Sequence, residues 1–332
     1  MAVFLAWGCA NLPAPIKDPQ PYTRIANPDS NTVQLQIALR KFTPPHRGPT
    51  VWLAGVMHIG EPEYYHALQS FLDGQTVVLF EGINTGSHPR HVGDTAVPAP
   101  PPKKEPATRK SGKGGYSMQS SLAQSLGLVF QLEAIDYDRT NFLNSDLSVE
   151  QIQKIMSGGE PLEAPGGGKG GSGNSSFDSL LQIMDGSSFL GSLFKLGMQL
   201  MASSPQLQAV AKLTLIEAIG RLKGDLSDVQ GLPPEWKKLI QVLIQARNEN
   251  LINDLKVERQ KVPRSGSIAV FYGAGHMDDL EKRLTGELQY RPAGEMWLPA
   301  FSVNLKKSGI SPSEAAFMRS MIEAQVGQMQ KK

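Results

Sequence analysis

Two short apolar segments flank an amphipathic stretch near residue 60, and this arrangement limits the fold to few possibilities. Thr50 to Ala54 (TVWLA) and Thr76 to Phe80 (TVVLF) have the composition of buried strands, and Glu61 to Leu72 has a helical pattern that begins with Glu-Pro-Glu. A strand, a helix and a strand within about thirty residues form a βαβ unit, whose strands are parallel and covered on both faces. The sequence therefore predicts an α/β fold with a mainly parallel central sheet flanked by helices.

The later elements extend this sheet and add helices. We predict a third strand at Leu128 to Ile135, a fourth at Ser267 to Tyr272, and two more near 287–291 and 296–303. Pro233 begins a long helix that ends near Lys261, and an all-helical insertion fills the middle of the chain.

These elements are predicted to form one α/β domain over residues 31–310. A tether over residues 1–30 precedes the domain, and a C-terminal helix over residues 311–332 follows it. Flexible insertions are predicted at 84–118 and 157–176, where proline, glycine and lysine are abundant.

The composition excludes several classes of protein. The chain has 332 residues with 33 basic and 31 acidic side chains, so its net charge of +2 does not favour nucleic acid as a partner. The single cysteine, Cys9, rules out an internal disulfide framework and a cysteine zinc cluster. No apolar run reaches the roughly 18 residues that a membrane-spanning helix needs.

Cys9 lies in an N-terminal stretch (MAVFLAWGCANL) in which apolar residues precede small ones and a cysteine. This order is typical of the end of a bacterial lipoprotein signal. It predicts a membrane tether through lipidated Cys9 and a place in the bacterial cell envelope. The alternative is the frayed apolar N-terminus of a cytoplasmic protein.

Three polar residues follow predicted strands closely. His58 ends the turn Gly55-Val56-Met57-His58, Glu81 comes directly after the second strand, and His276 ends the turn Gly273-Ala274-Gly275-His276. Ligands of open α/β sheets bind at the carboxyl ends of the strands, where glycines let the backbone turn sharply. We therefore predict that the three residues share one site, although a lone histidine in such a turn is more often a hydrogen-bonded loop residue.

Arg247 interrupts an apolar stripe of the long helix. The residues that recur along this stripe every four positions are Leu239, Leu243, Arg247, Leu251 and Leu255. Because a buried arginine without a partner costs several kcal/mol, Arg247 should face a carboxylate, for which Glu81 is the candidate. The alternative is that the stripe drifts around the helix and Arg247 reaches solvent.

Two further acidic residues are candidates for the same cleft. Asp136 follows the third predicted strand and Asp146 comes soon after it, although a turn or a helix cap is the commoner role for aspartate. Other catalytic motifs are absent from the sequence. No Gly-x-Ser-x-Gly turn follows a strand, and the run GGGKGGSG lacks the strand and helix of a phosphate-binding loop.

The four candidates and their order in the chain resemble the TraB/PrgY/GumN family, which includes the Tiki proteases. That family is recognised by two Gly-x-x-His motifs, an intervening glutamate and an arginine. The matching segments here are GVMH (55–58), FEG (80–82), ARNENL (246–251) and YGAGH (272–276). The resemblance covers roughly Val51 to Trp297, and it implies an α/β fold shared with erythromycin-esterase-like and ChaN-like proteins.

The resemblance also implies a hydrolase that acts on a peptide or a small-molecule ester. In a Tiki-like reading, His58, Glu81 and His276 hold a divalent metal such as Mn, Co or Zn, which activates a water. In an esterase-like reading, His58 or His276 is the general base, Glu81 orients the water and Arg247 stabilises the oxyanion. Two rival functions remain open: a non-catalytic protein that binds a ligand or haem, and a structural protein in which the same residues form an ion-pair core.

Overall fold

The computed structural model describes residues 19–82, 115–156, 202–222 and 242–329, which form a mixed sheet covered by helices. The strands are β1 (Thr23–Asp29), β2 (Thr32–Thr43), β3 (Thr50–Val56), β4 (Ile59–Gly60), β5 (Val77–Phe80), β6 (Val129–Phe130), β7 (Phe142–Asn144), β8 (Ser267–Gly273) and β9 (Arg291–Asn304). The helices are α1 (Pro62–Asp73), α2 (Gly115–Ser125), α3 (Gln131–Ala134), α4 (Val149–Met156), α5 (Pro205–Ile219), α6 (Arg247–Lys261), α7 (Met277–Gly286) and α8 (Pro312–Met329). A π-helical turn (Val242–Ala246) leads into α6, and a 3-10 turn (Ala274–His276) leads into α7.

Seven of these strands form the main sheet, and its parallel half gives the protein its α/β class. The strands β3, β8, β5 and β7 lie side by side in that order, and each pair is parallel. The other three are antiparallel: β9 pairs with β2 along its whole length, while β1 and β3 share the opposite edge of β2. The predicted βαβ unit is therefore present with β8 inserted between its two strands.

The parallel strands are buried on both faces, as the sequence predicts for a βαβ fold. Alternate residues of β8 belong to two different apolar clusters, with Phe271 in the first and Val270 in the second. Helices α1 and α5 cover the first face through residues such as Leu68, and helices α6 and α7 cover the second through residues such as Leu255.

Within the described residues, no helix is long and apolar enough to cross a membrane.

The antiparallel half differs from the sequence prediction. The stretch that we predicted to be a tether contains β1, and the two strands expected after residue 286 are the single strand β9. A buried ionic cluster explains why the N-terminal segment is ordered. The Tyr22 hydroxyl donates to Glu281 Oε2 at 2.6 Å, and Arg40 forms an ion pair with the same oxygen at 3.1 Å. Glu281 lies more than two hundred residues from Tyr22 and Arg40 in the chain, so the sequence gives no local signal of this contact.

The third predicted strand, Leu128 to Ile135, is wrong beyond its first residues. Only β6 is extended, and the chain then forms the short helix α3. The bend occurs because the Gln131 N–H donates to the His58 carbonyl at 2.8 Å, which turns the chain toward the first Gly-x-x-His segment.

Other predictions fall partly outside the described residues. The terminal helix is α8, as expected from Ser311-Pro312. Of the helical insertion the structure describes α5, and of the long helix it describes the part from Val242 onward. The insertion 157–176, most of the insertion 84–118, and Cys9 lie outside the described residues.

Candidate active site

The four predicted site residues meet at one end of the parallel half of the sheet. Strands β3, β8 and β5 are adjacent and parallel, so the residues that follow them emerge at the same edge. His58 follows β3, Glu81 follows β5 and His276 follows β8, while Arg247 is the first residue of α6. The distances between the polar atoms of these side chains show which of them are in contact.

Glu81 lies at the centre of the group. Its Oε1 atom accepts a hydrogen bond from Arg247 Nη2 at 2.7 Å, and its Oε2 atom accepts one from the Gly273 N–H at 2.7 Å. Burial by itself raises the pKa of this carboxyl group, but the nearby charge of Arg247, the two histidines and the Gly273 hydrogen bond outweigh it and lower the pKa to about 2. Glu81 is therefore an anion at any physiological pH.

Gly273 leaves room for this contact. A Cβ atom at Gly273 would lie 3.3 Å from Glu81 Oε2 and 3.5 Å from His58 Nε2. A side chain at this position would crowd both the carboxylate and the imidazole. Glu81 Oε2 and His58 Nε2 therefore both lie close to this turn.

Arg247 is buried and binds two carboxylates. Its Nε and Nη2 atoms donate to the two oxygens of Asp146 at 2.8 and 2.6 Å, in addition to the bond with Glu81. Burial lowers the pKa of a guanidinium, but the Asp146 hydrogen bonds and both carboxylates raise it, so Arg247 stays charged. The predicted pairing with Glu81 is confirmed, and the alternative in which Arg247 reaches solvent is wrong.

Asp146 is a more central residue than the sequence indicates. Its side chain is fully buried, and besides Arg247 its oxygens accept from the N–H groups of Gly82 at 3.0 Å and Leu147 at 2.8 Å. Asp146 follows β7, a strand of three residues that is too short to give a clear pattern. We named Asp146 as a candidate, but nothing in the sequence connects it to Arg247.

Asp136, the other acidic candidate, lies elsewhere. It is exposed, accepts a hydrogen bond from the Asp138 N–H at 3.1 Å, and forms an ion pair with Arg139 at 3.3 Å. This is the turn role that we weighed against a site role. The reason is that α3 replaces most of the predicted strand that Asp136 was expected to follow.

His276 is buried, and Asn248 fixes the tautomer of its imidazole ring. The Asn248 amide nitrogen donates to the His276 carbonyl at 3.2 Å and to Asp279 at 2.9 Å, and both of these partners only accept. The amide oxygen must therefore be the atom that faces His276 Nδ1 at 2.7 Å, so Nδ1 carries the proton. The other ring nitrogen, Nε2, is then a free base, and it lies 3.7 Å from Glu81 Oε1.

The surroundings of His276 keep it neutral. Burial lowers the pKa of the imidazole, and the charge of Arg247 lowers it further, against an opposing effect of Glu81. The Tyr272 ring packs edge-on against the His276 ring at 5.3 Å, and the Tyr272 hydroxyl donates to the Ser145 carbonyl. A neutral imidazole with a fixed tautomer can accept a proton at neutral pH.

His58 is exposed, and a glutamine contacts the ring nitrogen that points away from the site. Its Nδ1 atom lies 2.8 Å from Gln131 Oε1, and the Gln131 amide nitrogen donates to the Tyr137 hydroxyl at 2.7 Å. Neither residue carries a sequence signal for this role, since Gln131 lies within the third predicted strand and Tyr137 lies two residues beyond its end. The contact fixes the ring and directs Nε2 toward the site.

The metal-ligand set His58, Glu81 and His276 does not have the arrangement of a preformed metal site. Within the part of the chain that the structure describes, no group of three or more His, Cys, Asp or Glu side chains is placed to hold a metal ion. Both oxygens of Glu81 are already engaged, and the positive charge of Arg247 lies 2.7 Å away. A cation would have to share the carboxylate with that guanidinium, against the repulsion of its positive charge.

Comparison of the chain with protein families, with curated proteins and with solved structures finds no match.

Proposed function

We propose that this chain is a hydrolase of peptide or ester bonds in the manner of the TraB/PrgY/GumN family, with His58, Glu81, Arg247 and His276 as its active centre. In this proposal, β3 with α1 and β8 with α7 are two equivalent units that each carry a Gly-x-x-His turn. One observation carries the proposal: the basic Nε2 atom of a neutral, buried His276 lies beside the Glu81–Arg247 ion pair.

His276 has the properties of a general base. Its Nδ1 proton is held by Asn248, so Nε2 can accept a proton from a water that attacks a carbonyl carbon. Glu81 orients that water and stabilises the imidazolium that forms, since its Oε1 atom is 3.7 Å from Nε2. The His276 imidazolium then returns this proton to the leaving group, and His58, exposed at the mouth of the site, is placed to contact the substrate.

Arg247 can stabilise the negative charge that develops on the carbonyl oxygen. Its bonds to Asp146 and Glu81 use Nε and Nη2, and within the described residues no hydrogen bond involves Nη1. Two N–H groups on Nη1 therefore remain for an oxyanion. Because Asp146 fixes the guanidinium on its other side, this donor is in position before the substrate binds.

The first test is a hydrolysis screen with p-nitrophenyl esters of increasing chain length, followed by a peptide library. We expect His276→Ala to lower kcat/KM by roughly a hundredfold or more, as loss of a general base does. His66→Ala is the matched control, because His66 is an exposed histidine of α1 away from the site. Equal turnover in His276→Ala and wild type would rule out His276 as the base.

The metal content of the purified protein distinguishes a metal-assisted reaction from the reaction with His276 as general base. Elemental mass spectrometry of protein purified without chelator, before and after exposure to Mn, Co and Zn, is compared with His58→Ala and His276→Ala. We expect no stoichiometric metal, because the positive charge of Arg247 lies 2.7 Å from Glu81 and repels a cation there. One equivalent of metal that is lost in both variants would instead support ligation by His58, Glu81 and His276.

Haem or ligand binding without turnover is the second candidate, and the exposed imidazole of His58 favours it. A haem iron takes a histidine whose other ring nitrogen is held by a protein group, as Gln131 holds Nδ1 of His58. Titration with haem, followed by the Soret absorbance, tests this candidate. Stoichiometric binding that His58→Ala abolishes, together with no hydrolysis of any substrate, would support it.

A further inference from the structure

A cavity lies at the end of the sheet opposite the candidate active site. Its volume is about 350 Å³, and its walls are the loop 44–49, the end of α6 with the turn after it, and Tyr290. That loop and that turn lead into the starts of β3 and β8, whereas the site residues follow the ends of those strands. Seven residues of extended chain span roughly 20 Å, so the cavity is separate from the site.

The cavity is lined by positive charge without a compensating negative charge. Arg47, Arg259 and Arg264 contribute to its walls together with His46, and no aspartate or glutamate does. Within the described parts of the chain, none of these three arginine side chains forms an ion pair or a hydrogen bond. Elsewhere in the protein, the buried arginines Arg40 and Arg247 each bind two carboxylates.

The walls of the cavity are held in place without a ligand. The Tyr290 hydroxyl donates to the Pro49 carbonyl at 3.2 Å, which fixes the end of the loop 44–49. Three prolines restrict the backbone of that loop. On the other wall, the Thr50 N–H donates to the Gly266 carbonyl at 3.1 Å, which fixes the turn that carries Arg264.

A simpler role accounts for one of the arginines but not for all three. Arg259 lies in the last turn of α6, where a positive charge stabilises the negative end of the helix dipole. Arg47 and Arg264 lie in loops on either side of the cavity and have no such role. Three guanidinium groups from three segments around one cavity are the arrangement that binds phosphate oxygens.

We propose that this cavity binds a phosphate-bearing anion through Arg47, Arg259 and Arg264. The ligand class is a compact group with two or more negative charges, either on a free small molecule or on a lipid headgroup. This assignment does not depend on the hydrolase proposal, because it uses none of its residues.

The test is isothermal titration calorimetry of the full chain with inorganic pyrophosphate at constant ionic strength. The variant Arg47→Gln/Arg259→Gln/Arg264→Gln should bind at least tenfold more weakly than wild type. The matched control is Lys282→Gln/Lys306→Gln/Lys307→Gln, which removes the same charge from three exposed lysines outside the cavity. The control should bind as wild type does.

Sedimentation with vesicles distinguishes the two sources of the phosphate group. Binding to phosphatidylglycerol vesicles but not to phosphatidylcholine vesicles, lost in the arginine variant only, assigns the cavity to a lipid headgroup. Pyrophosphate binding without vesicle binding assigns it to a free ligand. Absence of both, or equal losses in the arginine and lysine variants, would overturn the proposal.

Discussion

At the scale of single residues, the candidate site depends on contacts behind the four residues that face the ligand. Asn248 determines which nitrogen of His276 is basic, Asp146 holds Arg247, and Gln131 holds His58. The four residues could be predicted because strand ends and an interrupted apolar stripe mark them in the sequence. Their partners could not, because an amide or a carboxylate in a loop matches many surface roles equally well.

The tautomer of His276 gives the first prediction. In wild type, ¹⁵N NMR of the imidazole should show a proton on Nδ1 and a pKa below the ordinary value of 6.5, because burial disfavours the cation. The acid limb of a pH–rate profile should therefore lie below pH 6.5. Asn248→Asp places a carboxylate against Nδ1, so it should raise this pKa and move the limb to higher pH.

The matched control for Asn248→Asp is Asn250→Asp, two residues further along α6, where the side chain contacts Asp254 and not His276. It adds the same charge to the same helix. If both variants moved the titration of His276 equally, the effect would come from net charge and not from the hydrogen bond.

Glu81 gives the second prediction, which concerns stability in acid. Its folded pKa of about 2 lies below the value of 4.5 that an unperturbed glutamate has. The stability that this difference contributes is present above pH 4.5 and is lost as the pH falls toward 2, and it is on the order of 3 kcal/mol. Urea denaturation from pH 7 to pH 3 should show a smaller decline for Glu81→Gln than for wild type. Parallel curves would contradict the paired state of Glu81.

At the scale of elements, the ion-pair group joins β5, β7 and α6. Glu81 follows β5, Asp146 follows β7, and Arg247 begins α6 directly after the π-helical turn. Such turns widen a helix locally and occur often at functional sites. The guanidinium thus connects two strands of the sheet to the helix layer on one face.

The third prediction tests whether the buried charge of Asp146 depends on Arg247 for its stability. Glu81→Leu/Arg247→Leu should lose about 3–5 kcal/mol of unfolding free energy, because Asp146 is then left buried without its cation. Adding Asp146→Asn removes that charge and should recover most of the loss. Chemical denaturation of both variants measures the difference. A double variant as stable as wild type would mean that Asp146 does not depend on Arg247.

The fourth prediction concerns the strand that lies in the predicted tether. A chain that starts after Ser30 lacks β1 and Tyr22, so part of one edge of β2 is exposed and the Arg40–Glu281 pair loses its tyrosine. Exposed edges pair with other chains, so this truncation should aggregate on expression. A chain that starts at Pro19 keeps these contacts and should stay soluble by size-exclusion chromatography. Equal solubility would show that β1 is dispensable.

At the scale of the whole molecule, the α/β class and the parallel strands were predictable, but the antiparallel half was not. The strands β3, β5 and β8 are continuous apolar runs, which is the pattern of strands buried on both faces. In contrast, β1 and the first half of β9 are exposed and contain proline, so their pattern resembles a loop. The strand β1 pairs with its neighbour in the chain, β2, whereas the pairing of β9 with β2 joins residues more than two hundred positions apart.

The position of β8 has a consequence for synthesis on the ribosome. It lies between β3 and β5 in the sheet, yet it follows them in the chain by almost two hundred residues. Until residue 273 has left the exit tunnel, the emerging chain holds two apolar strands with no neighbour to fill the gap between them. Most of the polypeptide is therefore synthesised before the sheet can be completed, and the edges of β3 and β5 that pair with β8 stay unpaired until then. We expect nascent chains stalled before β8 to be bound by chaperones and digested readily by protease.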